Sequence, residues 1–532
     1  MAGRARARMS TSDRLLAIDV GTQSVRALVF DDVGTLCARA QVPIEPPYHA
    51  PQPGHAEQDP AVFWEAIAAA SQKLWAADPA LAERIAGMAL TTQRATSVFV
   101  DDNGEPVGRA ISWLDQRHAA RVPRLPTLWR GIFGALGLAS TIDTFQRLSP
   151  ANWRAAHAPD QHRRMRYALL LSGYLVQRLT GAWRDSVSAQ VGYLPFDYKR
   201  RQWAKKGDWK WRAIEIERDH LPELVEPGQT LGTLDAAAAK ALGLSAGLPL
   251  FSAGADKACE VLGSGAITPE TACVSLGTTA TINTCRDAYR EVTRFVPAYP
   301  AAMPGAFTDE IQIYRGFWLV SWFKQEFAVD TVDAAAREQR AAEALLDERI
   351  APIAPGSDGL LILPTWSPGV RVPGPEARGA MVGFTDTHTR AHVYRAILEG
   401  LAYALREGRE RIEKRTKTPI TRLRVSGGGS QSDQAMQILA DVFDLPAERS
   451  HTHETSGLGA AINAAVGLGW YADHRVAARA MVHSGARFEP RPEAVATYER
   501  FYTEVFGALY GDLKPTFERI RAIIDPTGHA RA

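Results

Sequence analysis

Two stretches about half a chain apart share one pattern, and any fold for this chain has to accommodate both. Residues 18–30 read IDVGTQSVRALVF, and residues 274–284 read VSLGTTATINT. Each is an apolar run, a Gly-Thr turn and a second β-rich run, which is typical of a hairpin. Gly277 follows Gly21 by 256 positions. This interval predicts a duplicated fold whose halves each present a hairpin to a shared cleft.

The length and the order of the elements set the fold class. A chain of 532 residues is too long for one core, so two large domains are expected. Strands are predicted at 15–20, 26–30 and 36–41, and a helix is predicted to start at Asp59-Pro60, a good N-cap and first helical residue. A buried helix is predicted over 167–181, and long helices at about 389–415 and 431–443. Strands and helices alternate along most of the chain, which predicts an α/β fold.

The composition excludes several classes of protein. The 61 basic and 59 acidic side chains leave a net charge of +2, without the basic excess of a nucleic-acid-binding protein. No apolar run approaches the ~18 residues of a membrane span. The four cysteines form no CxxC pair, which fits a reducing cytoplasm. Three arginines precede residue 10 with no apolar segment after them, so residues 1–12 are expected to form a disordered basic tail.

The hairpin turns are candidates for phosphate binding. The chain has no GxxxxGK[ST] motif, and no GxGxxG motif between a strand and a helix, which disfavours P-loop and dinucleotide-binding domains. In a tight Gly-Thr turn, successive backbone N–H groups can point into one concavity and bind phosphate oxygens. Asp19, just before the first turn, suits Mg²⁺ held through water. Both features also fit an ordinary turn capped by an aspartate. The hydroxyl groups expected to add donors belong to Thr22, Ser24, Thr278 and Thr279.

A third glycine cluster and one aspartate complete the set of candidates. A predicted strand is followed by Gly427, Gly428 and Gly429, and a helix is expected to begin near Ser430. The glycines either let the backbone approach a flat ligand whose negative charge the helix N-terminus favours, or form an ordinary strand-to-helix turn with Ser430 as N-cap. Asp256 lies among small residues between the two hairpins, where it is a natural base for phosphoryl transfer to a hydroxyl. Lys257 either neutralises phosphate charge or is simply solvated.

These residues together resemble the FGGY family of carbohydrate kinases, which includes glycerol, xylulose and ribulose kinases. The resemblance runs from about residue 15 to about residue 500, and its strength lies in the order and spacing of the matching pieces. These pieces are IDVGTQSVRALVFD, GHAEQDP, TTQRATSVFVDDNGEPVGRAISWLDQR, LTGAWRDSVSA, SAGADKACEVLGSGA, VSLGTTA, EARGAMVGF, AILEGLAYALREG, VSGGGSQSDQAMQILADVF and ETSGLGAA.

The resemblance implies a duplicated two-domain actin-like ATPase (ribonuclease H-like) fold with a cleft between the domains. It also implies ATP with Mg²⁺ and transfer of the γ-phosphoryl group to a sugar or polyol. The metal would lie at Asp19 and Asp256, and Asp256 would be the catalytic base. The residues that the resemblance assigns to ATP are Gly21, Thr22, Gln23, Ser24, Arg26, Gly277 and Thr278 near the phosphates, and Gly428, Gly429 and Asp433 at the adenosine pocket.

The acceptor residues follow the family pattern only in part. Glycerol kinases carry Gln-Arg-Glu-Thr where this chain has Gln-Arg-Ala-Thr, so Arg94 is kept and Ala95 replaces the glutamate. A glycerol hydroxyl would lose its acceptor there, which costs roughly 1–3 kcal/mol for an unpaired buried group and disfavours glycerol. Asp115 is expected either to face the sugar or to cap local structure, and Lys257 is a further candidate for the substrate. We expect a ketopentose or another small sugar or polyol as the acceptor.

Other readings of the same residues stay open. A chaperone-like or non-catalytic actin-fold ATP-binding protein would share the fold, but Asp19, Asp256 and the Arg94 segment favour a kinase. The expected domains are a sugar-binding domain over 13–255, an ATP-binding domain over 256–500, and a C-terminal helix and tail over 501–532. We expect a cytoplasmic protein that binds a small sugar or polyol, interacts with neither nucleic acid nor membrane, and forms a homodimer.

Overall fold

The computed structural model of the protein describes residues 13–369 and 373–524. The predicted N-terminal tail at 1–12 and the end of the predicted C-terminal tail, from 525 onward, lie outside the described residues. The described strands are β1 (Arg14–Val20), β2 (Ser24–Phe30), β3 (Leu36–Pro43), β4 (Glu57–Gln58), β5 (Ile85–Thr92), β6 (Ser97–Val100), β7 (Ala110–Ile111), β8 (Tyr167–Leu170), β9 (Arg184–Ser186), β10 (Phe196–Asp197), β11 (Gln202–Trp203), β12 (Glu223–Val225), β13 (Thr230–Thr233), β14 (Pro249–Phe251), β15 (Thr271–Leu276), β16 (Ala280–Arg286), β17 (Tyr299–Pro300), β18 (Phe307–Ile313), β19 (Leu361–Leu363), β20 (Ala380–Val382), β21 (Arg422–Ser426), β22 (Ala447–Ser450) and β23 (Ser484–Phe488).

The α-helices surround these strands. They are α1 (Pro60–Ala77), α2 (Thr127–Ala135), α3 (Ala139–Arg147), α4 (Pro150–His157), α5 (Pro159–Arg164), α6 (Leu171–Thr180), α7 (Lys210–Ala213), α8 (Ala236–Leu242), α9 (Asp256–Gly263), α10 (Trp318–Phe327), α11 (Val329–Glu338), α12 (Ala342–Ile350), α13 (Arg390–Thr416), α14 (Asp433–Phe443), α15 (Thr455–Gly467), α16 (His474–Met481), α17 (Pro492–Arg500) and α18 (Gly507–Ile524). No described helix has both the length and the apolar character needed to cross a bilayer.

Two sheets repeat one topology. The first runs in the order β3-β2-β1-β5-β14-β13, and the second contains the order β18-β16-β15-β21-β22. In each, an antiparallel meander of three strands is followed by two strands parallel to its first strand. This repetition confirms the duplicated α/β fold that the two Gly-Thr hairpins predict. Because parallel strands end at the same edge of a sheet, each sheet gathers loops at one edge, where α/β folds bind ligands.

Each sheet has its own core, and a third core joins the two halves. Side chains of α1, α6 and α8 bury one face of the first sheet, and those of α10, α13 and α14 bury one face of the second. The third core combines apolar side chains from β1 and β2 with those of α9 and α15. The predicted domain boundary between residues 255 and 256 falls at the start of α9. However, α15, from the second half of the chain, packs against β1 and β5 of the first sheet.

Helices α9 and α15 touch through their backbones. A Cβ atom at Gly459 would lie 2.6 Å from the carbonyl carbon of Cys259, and one at Gly263 would lie 2.7 Å from the amide nitrogen of Gly459. Real Cβ atoms essentially never approach other atoms so closely. The two glycines therefore set the spacing of the helix pair, and this spacing fixes where Asp256 stands at the start of α9.

Two local predictions differ from the structure. The apolar run 167–181, predicted as one helix, is strand β8 followed by helix α6, which ends at Gly181 with a left-handed φ of 70°. A short apolar run fits a buried strand and a buried helix equally well, so its pattern does not distinguish them. Ser430 lies in a 3₁₀ turn, and the N-cap of α14 is Ser432, whose hydroxyl accepts a hydrogen bond from the Ala435 N–H at 3.0 Å.

Candidate functional site

The carboxyl ends of three parallel strands bring the first candidates together. Asp19 lies near the end of β1, Arg94 follows β5, and Asp256 follows β14. A single parallel bridge pairs Thr92 with Ala255, so Arg94 and Asp256 leave the sheet side by side. The negative charge of Asp256 also raises the pKa of Asp19. The structure thus gathers at one edge the residues that the sequence separates by more than 200 positions.

Asp19 has the environment of a cation-binding carboxylate. One oxygen, Oδ2, accepts a hydrogen bond from Arg26 Nη1 at 3.0 Å. Burial raises the pKa of Asp19 to about 6; Arg26 opposes this rise, and Asp256 and Glu454 add to it. A divalent cation would relieve the excess of negative charge. Among residues 13–369 and 373–524, no three or more His, Cys, Asp or Glu side chains form a metal-holding group. The donor set suits Mg²⁺, which binds one or two carboxylates and fills its other positions with water and phosphate oxygens.

Glu454 opens the segment ETSGLGAA but is not among the predicted site residues, and it is buried behind Asp19 and Arg26. It precedes α15, and its carboxylate pairs with Arg39 Nε at 2.7 Å and lies 3.7 Å from Arg26 Nε. The pKa of Glu454 is lowered, because hydrogen bonding from His453 and the nearby arginines outweigh its burial. Glu454 therefore holds the two arginines beside Asp19.

The first hairpin is a tight turn whose side chains are partly engaged. Gly21 N–H donates to the Ser24 carbonyl at 3.0 Å. The Thr22 hydroxyl donates to Gln93 Oε1 and accepts from Trp113 Nε1, the latter at 2.9 Å. The only hydroxyl proton of Thr22 is therefore used inside the protein in this conformation, and its contact with phosphate stays a prediction. The backbone N–H groups of the turn and the Ser24 hydroxyl likewise stay predicted donors to phosphate.

The second hairpin is fixed against the start of α10. The carbonyls of Gly277 and Thr278 accept the N–H groups of Phe317 and Trp318 at 3.0 and 3.3 Å. The Thr279 hydroxyl donates to the Tyr314 carbonyl at 3.2 Å, so this proton, too, is used inside the protein. Thr278, in contrast, is exposed at the tip of the turn.

The glycine cluster lies next to this second hairpin. A Cβ atom at Gly429 would lie 2.7 Å from Cζ of Phe317, so the backbone there packs directly on the aromatic ring. A Cβ atom at Gly428 would meet nothing within 4 Å, so that position faces open space. Asp433, in the first turn of α14, forms an ion pair with Arg449 at 2.6 Å and is largely exposed. The cluster thus offers an open backbone surface beside Gly277.

Asp256 and Lys257 begin helix α9. Burial raises the pKa of Asp256, while the positive charges of Lys257 and Arg94 oppose the rise. Lys257 is not a solvated surface lysine, since its Nζ donates to Glu260 Oε2 and to the Ser275 hydroxyl, both at 2.7 Å. Burial alone would lower the pKa of Lys257, but the charges of Glu260 and Asp256 raise it. A charged ammonium group therefore stands between Asp256 and the second sheet.

Arg94 contacts the opposite half of the molecule. Its Nη1 and Nη2 donate to Oε2 and Oε1 of Glu310 at 3.0 and 2.6 Å, in a bidentate ion pair. Glu310 lies on β18 of the second sheet. The guanidinium carbon is 5.5 Å from the centre of the Tyr299 ring. The sequence does not indicate Glu310 or Tyr299, because neither belongs to a local motif.

Asp115 lies in a local network rather than at the edge of the sheet. Its carboxylate accepts the Ala56 N–H at 2.6 Å and forms an ion pair with Arg117 at 2.7 Å. Arg117 in turn pairs with Glu57 at 2.9 Å. These contacts favour the structural interpretation of Asp115. Trp113, two residues earlier, is the part of this segment that reaches the first hairpin.

Comparison with known proteins gives a consistent result. The model of the FGGY family of carbohydrate kinases, N-terminal domain, matches residues 14–263, and the model of its C-terminal domain matches residues 272–468. An uncharacterized sugar kinase of Escherichia coli strain K12 is 29% identical over 496 residues, covering 93% of each chain. A xylulose kinase of Lactococcus lactis is 29% identical over 492 residues, covering 92% of this chain and 95% of the relative. The crystal structure of xylulose kinase from Rhodospirillum rubrum, 25% identical, superposes with a TM-score of 0.79 over 95% of this chain and all of the other.

Proposed function

Because the chain belongs to the FGGY family of carbohydrate kinases and is therefore a phosphotransferase with a sugar or polyol hydroxyl as acceptor, we propose that its acceptor is a ketopentose of the xylulose or ribulose type. Relatives named xylulose kinases match more than nine-tenths of the chain, which supports this choice. Ala95, at the position where glycerol kinases carry glutamate, counts against glycerol.

The observation that carries the proposal is the placement of Asp256 next to Arg94 at one sheet edge, where the charge of Arg94 acts on Asp256. A base for a sugar hydroxyl must be within hydrogen-bond reach of it and ionised when it acts. Arg94 and Lys257 favour the ionised form of Asp256, while burial brings its pKa upward toward the working pH. In the proposed step, the Asp256 carboxylate accepts the proton of the acceptor hydroxyl as its oxygen attacks the γ-phosphorus of ATP, and ADP leaves.

The remaining site residues have supporting roles in this proposal. Backbone N–H groups of the two hairpins, at Gly21–Ser24 and Gly277–Thr278, donate to phosphate oxygens. Asp19 and Asp256 would hold Mg²⁺, which supplies positive charge at the β- and γ-phosphates when bound. Gly428, Gly429 and Asp433 line the adenosine pocket, and Arg26 keeps Asp19 oriented. Closure of the two halves excludes water that would otherwise hydrolyse ATP.

The two domains of the proposal meet at residues 255 and 256, with sugar bound mainly by the first and ATP by the second. A cytoplasmic location and a homodimer stay predictions. Ketohexoses and other polyols are alternative acceptors, and a protein that binds ATP without transferring phosphate is the alternative outside the class of enzymes.

An ADP-release screen tests the proposal. Purified protein with MgATP is offered D-xylulose, D-ribulose, ketohexoses, glycerol and other polyols, with an acceptor-free reaction as the control. We expect saturable release with a ketopentose and a kcat/KM for glycerol at least about 10-fold lower, in line with the cost of one unpaired buried group. A higher kcat/KM for a hexulose or a polyol would correct the acceptor, and no stimulation across the panel would favour the non-catalytic alternative.

A further inference from the structure

The ion pair between Arg94 and Glu310 joins the two halves of the molecule beside Asp256. The partners are 216 residues apart in the chain: Arg94 follows β5 of the first sheet, and Glu310 lies on β18 of the second. Their side chains are only 16% and 6% exposed. Burial opposes the charge of Arg94, but Glu310 and, to a smaller extent, Tyr299 and Asp256 outweigh it and raise the pKa of Arg94. The pair therefore lies within the electrostatic reach of the proposed base, Asp256.

The pair has unused hydrogen-bonding capacity on both partners. A guanidinium group carries five N–H donors, and Arg94 uses two of them on Glu310. A carboxylate accepts at about four lone-pair positions, and the two bonds from Arg94 use two of these. Donors and acceptors thus stand side by side in a planar arrangement, with the ring of Tyr299 beside them. Two neighbouring hydroxyl groups of a sugar, each of which donates and accepts, match this arrangement.

The backbone beside Arg94 carries no carboxylate, because the next residue is Ala95. Ala95 adopts a left-handed φ of 60°, which is uncommon for a residue with a side chain. A Cβ atom added at Gly192 would lie 3.5 Å from both Cα and Cβ of Ala95, an ordinary van der Waals distance, so the Gly192 segment passes close to Ala95. An observed backbone outlier of this kind is characteristic of binding sites.

We propose that Glu310 is a specificity-determining residue that supplies, from the second half of the molecule, the carboxylate that position 95 lacks, and that with Arg94 it binds a vicinal diol of the acceptor. The inference rests on the proposed function, since it assigns a contact to the acceptor of that reaction. It also explains how an acceptor promotes closure, because the diol contacts one residue from each half of the molecule.

Replacement of the carboxylate by an amide is the direct test. Glu310→Gln keeps the shape of the side chain but removes its charge and one pair of acceptor positions. For the acceptor with the highest kcat/KM in the wild type, we expect KM to rise about 10- to 100-fold, the loss expected for a hydrogen bond to a charged group, with the KM for ATP within about 2-fold of the wild type. Glu343→Gln is the matched control, because it also removes the carboxylate of an ion pair, the one with Lys324. This pair is more exposed than that of Arg94 with Glu310 and involves no residue of the proposed site, so both KM values should stay unchanged.

Deoxy acceptors separate recognition from a purely structural ion pair. For the wild type, removing a hydroxyl of the bound diol should lower kcat/KM about 10- to 100-fold, whereas for Glu310→Gln the same analogue should lose no more than about 2-fold. A structural pair predicts equal sensitivity in both proteins and a parallel change of both KM values, and either result would overturn the inference.

Two further outcomes keep the test decisive. If Glu310→Gln does not fold, Glu310→Asp is used instead, because it keeps the charge but shortens the side chain by one methylene group. We expect this variant to have a raised KM for the acceptor at an unchanged melting temperature. An unchanged KM for the acceptor would refute the inference. If no acceptor of the panel stimulates ADP release by the wild type, the proposed function fails and this inference fails with it. An active wild type with an unaffected Glu310→Gln variant refutes the inference alone.

Discussion

Substitution of Gly459 by alanine tests whether the contact between α9 and α15 sets the position of the proposed base. The new Cβ atom would lie 2.6 Å from the Cys259 carbonyl carbon and 2.9 Å from its Cα, whereas 3.4 Å or more is ordinary contact. The helices must therefore separate by roughly 0.8 Å or more, because backbone atoms cannot rotate away as a side chain does.

The expected effects on stability and turnover differ in size. Alanine gains about 1 kcal/mol of helix propensity over glycine. Overpacking of a core costs about 1–3 kcal/mol, and more where backbone is displaced. We expect a net loss of about 1–2 kcal/mol and a melting temperature lowered by roughly 2–8 °C. A displacement of about 1 Å at a catalytic group can cost about 100-fold in rate, and Asp256 lies one turn before Cys259, so we expect kcat to fall about 100-fold.

The assay compares thermal unfolding and acceptor-dependent ADP release with those of a matched glycine variant. Gly511 lies within helix α18, and a Cβ atom there would meet nothing within 4 Å. Gly511→Ala should raise the free energy of unfolding by about 0.5–1 kcal/mol and leave kcat unchanged. A Gly459→Ala protein with the melting temperature and kcat of the wild type would refute the reasoning.

Two further predictions concern buried ionisable groups. His474 is hydrogen-bonded to Asn463, and its burial lowers its pKa to about 4. Between about pH 4 and 6.5 the unfolded chain therefore binds a proton that the folded chain does not, so the free energy of unfolding rises with pH. His474→Gln should reduce this rise by up to about 3 kcal/mol in urea unfolding at pH 4.5 to 7.5, and an unchanged slope would contradict the assignment. Glu399 accepts hydrogen bonds from Arg395 and Tyr498 at 2.8 Å each. Glu399→Ala leaves the buried Arg395 without its carboxylate and should lower the free energy of unfolding by about 3–5 kcal/mol in thermal unfolding. Tyr498→Phe, which removes one hydroxyl, should lower it by about 1 kcal/mol. Equal melting temperatures for the two variants would refute this account of the pair.

Much of the fold follows from local sequence pattern. The strand predicted at 15–20 is Arg14–Val20, and the helix predicted at 389–415 is Arg390–Thr416. Such elements carry a clear periodicity over many residues, and the duplication is visible because each half repeats a hairpin with its own Gly-Thr turn. The prediction of a single helix over 167–181 is wrong in part, because the pairing of β8 with β6 makes the first residues of this run a strand.

In the candidate site, too, some residues can be predicted from local sequence and others cannot. Asp19, Arg94 and Asp256 stand in short motifs next to strand ends, so the sequence alone indicates them. Glu310 stands in no such motif, and the motif ETSGLGAA, which begins with Glu454, does not reveal the partner of that residue. Glu310 pairs with a residue 216 positions away, and Glu454 pairs with Arg39. No sequence pattern encodes such a pair without its fold.

The central claim is that Asp256 removes the proton of the acceptor hydroxyl. Asp256→Asn keeps the size of the side chain and removes its basicity, so the most direct measurement is acceptor-dependent ADP release by this variant, alongside calorimetric titration with ATP and Mg²⁺. We expect turnover to fall at least about 1,000-fold, within the range that a positioned general base together with its electrostatic role contributes. ATP is expected to bind within about 10-fold of its affinity for the wild type, since the hairpins and the glycine cluster remain intact. Turnover within a few-fold of the wild type would contradict the account.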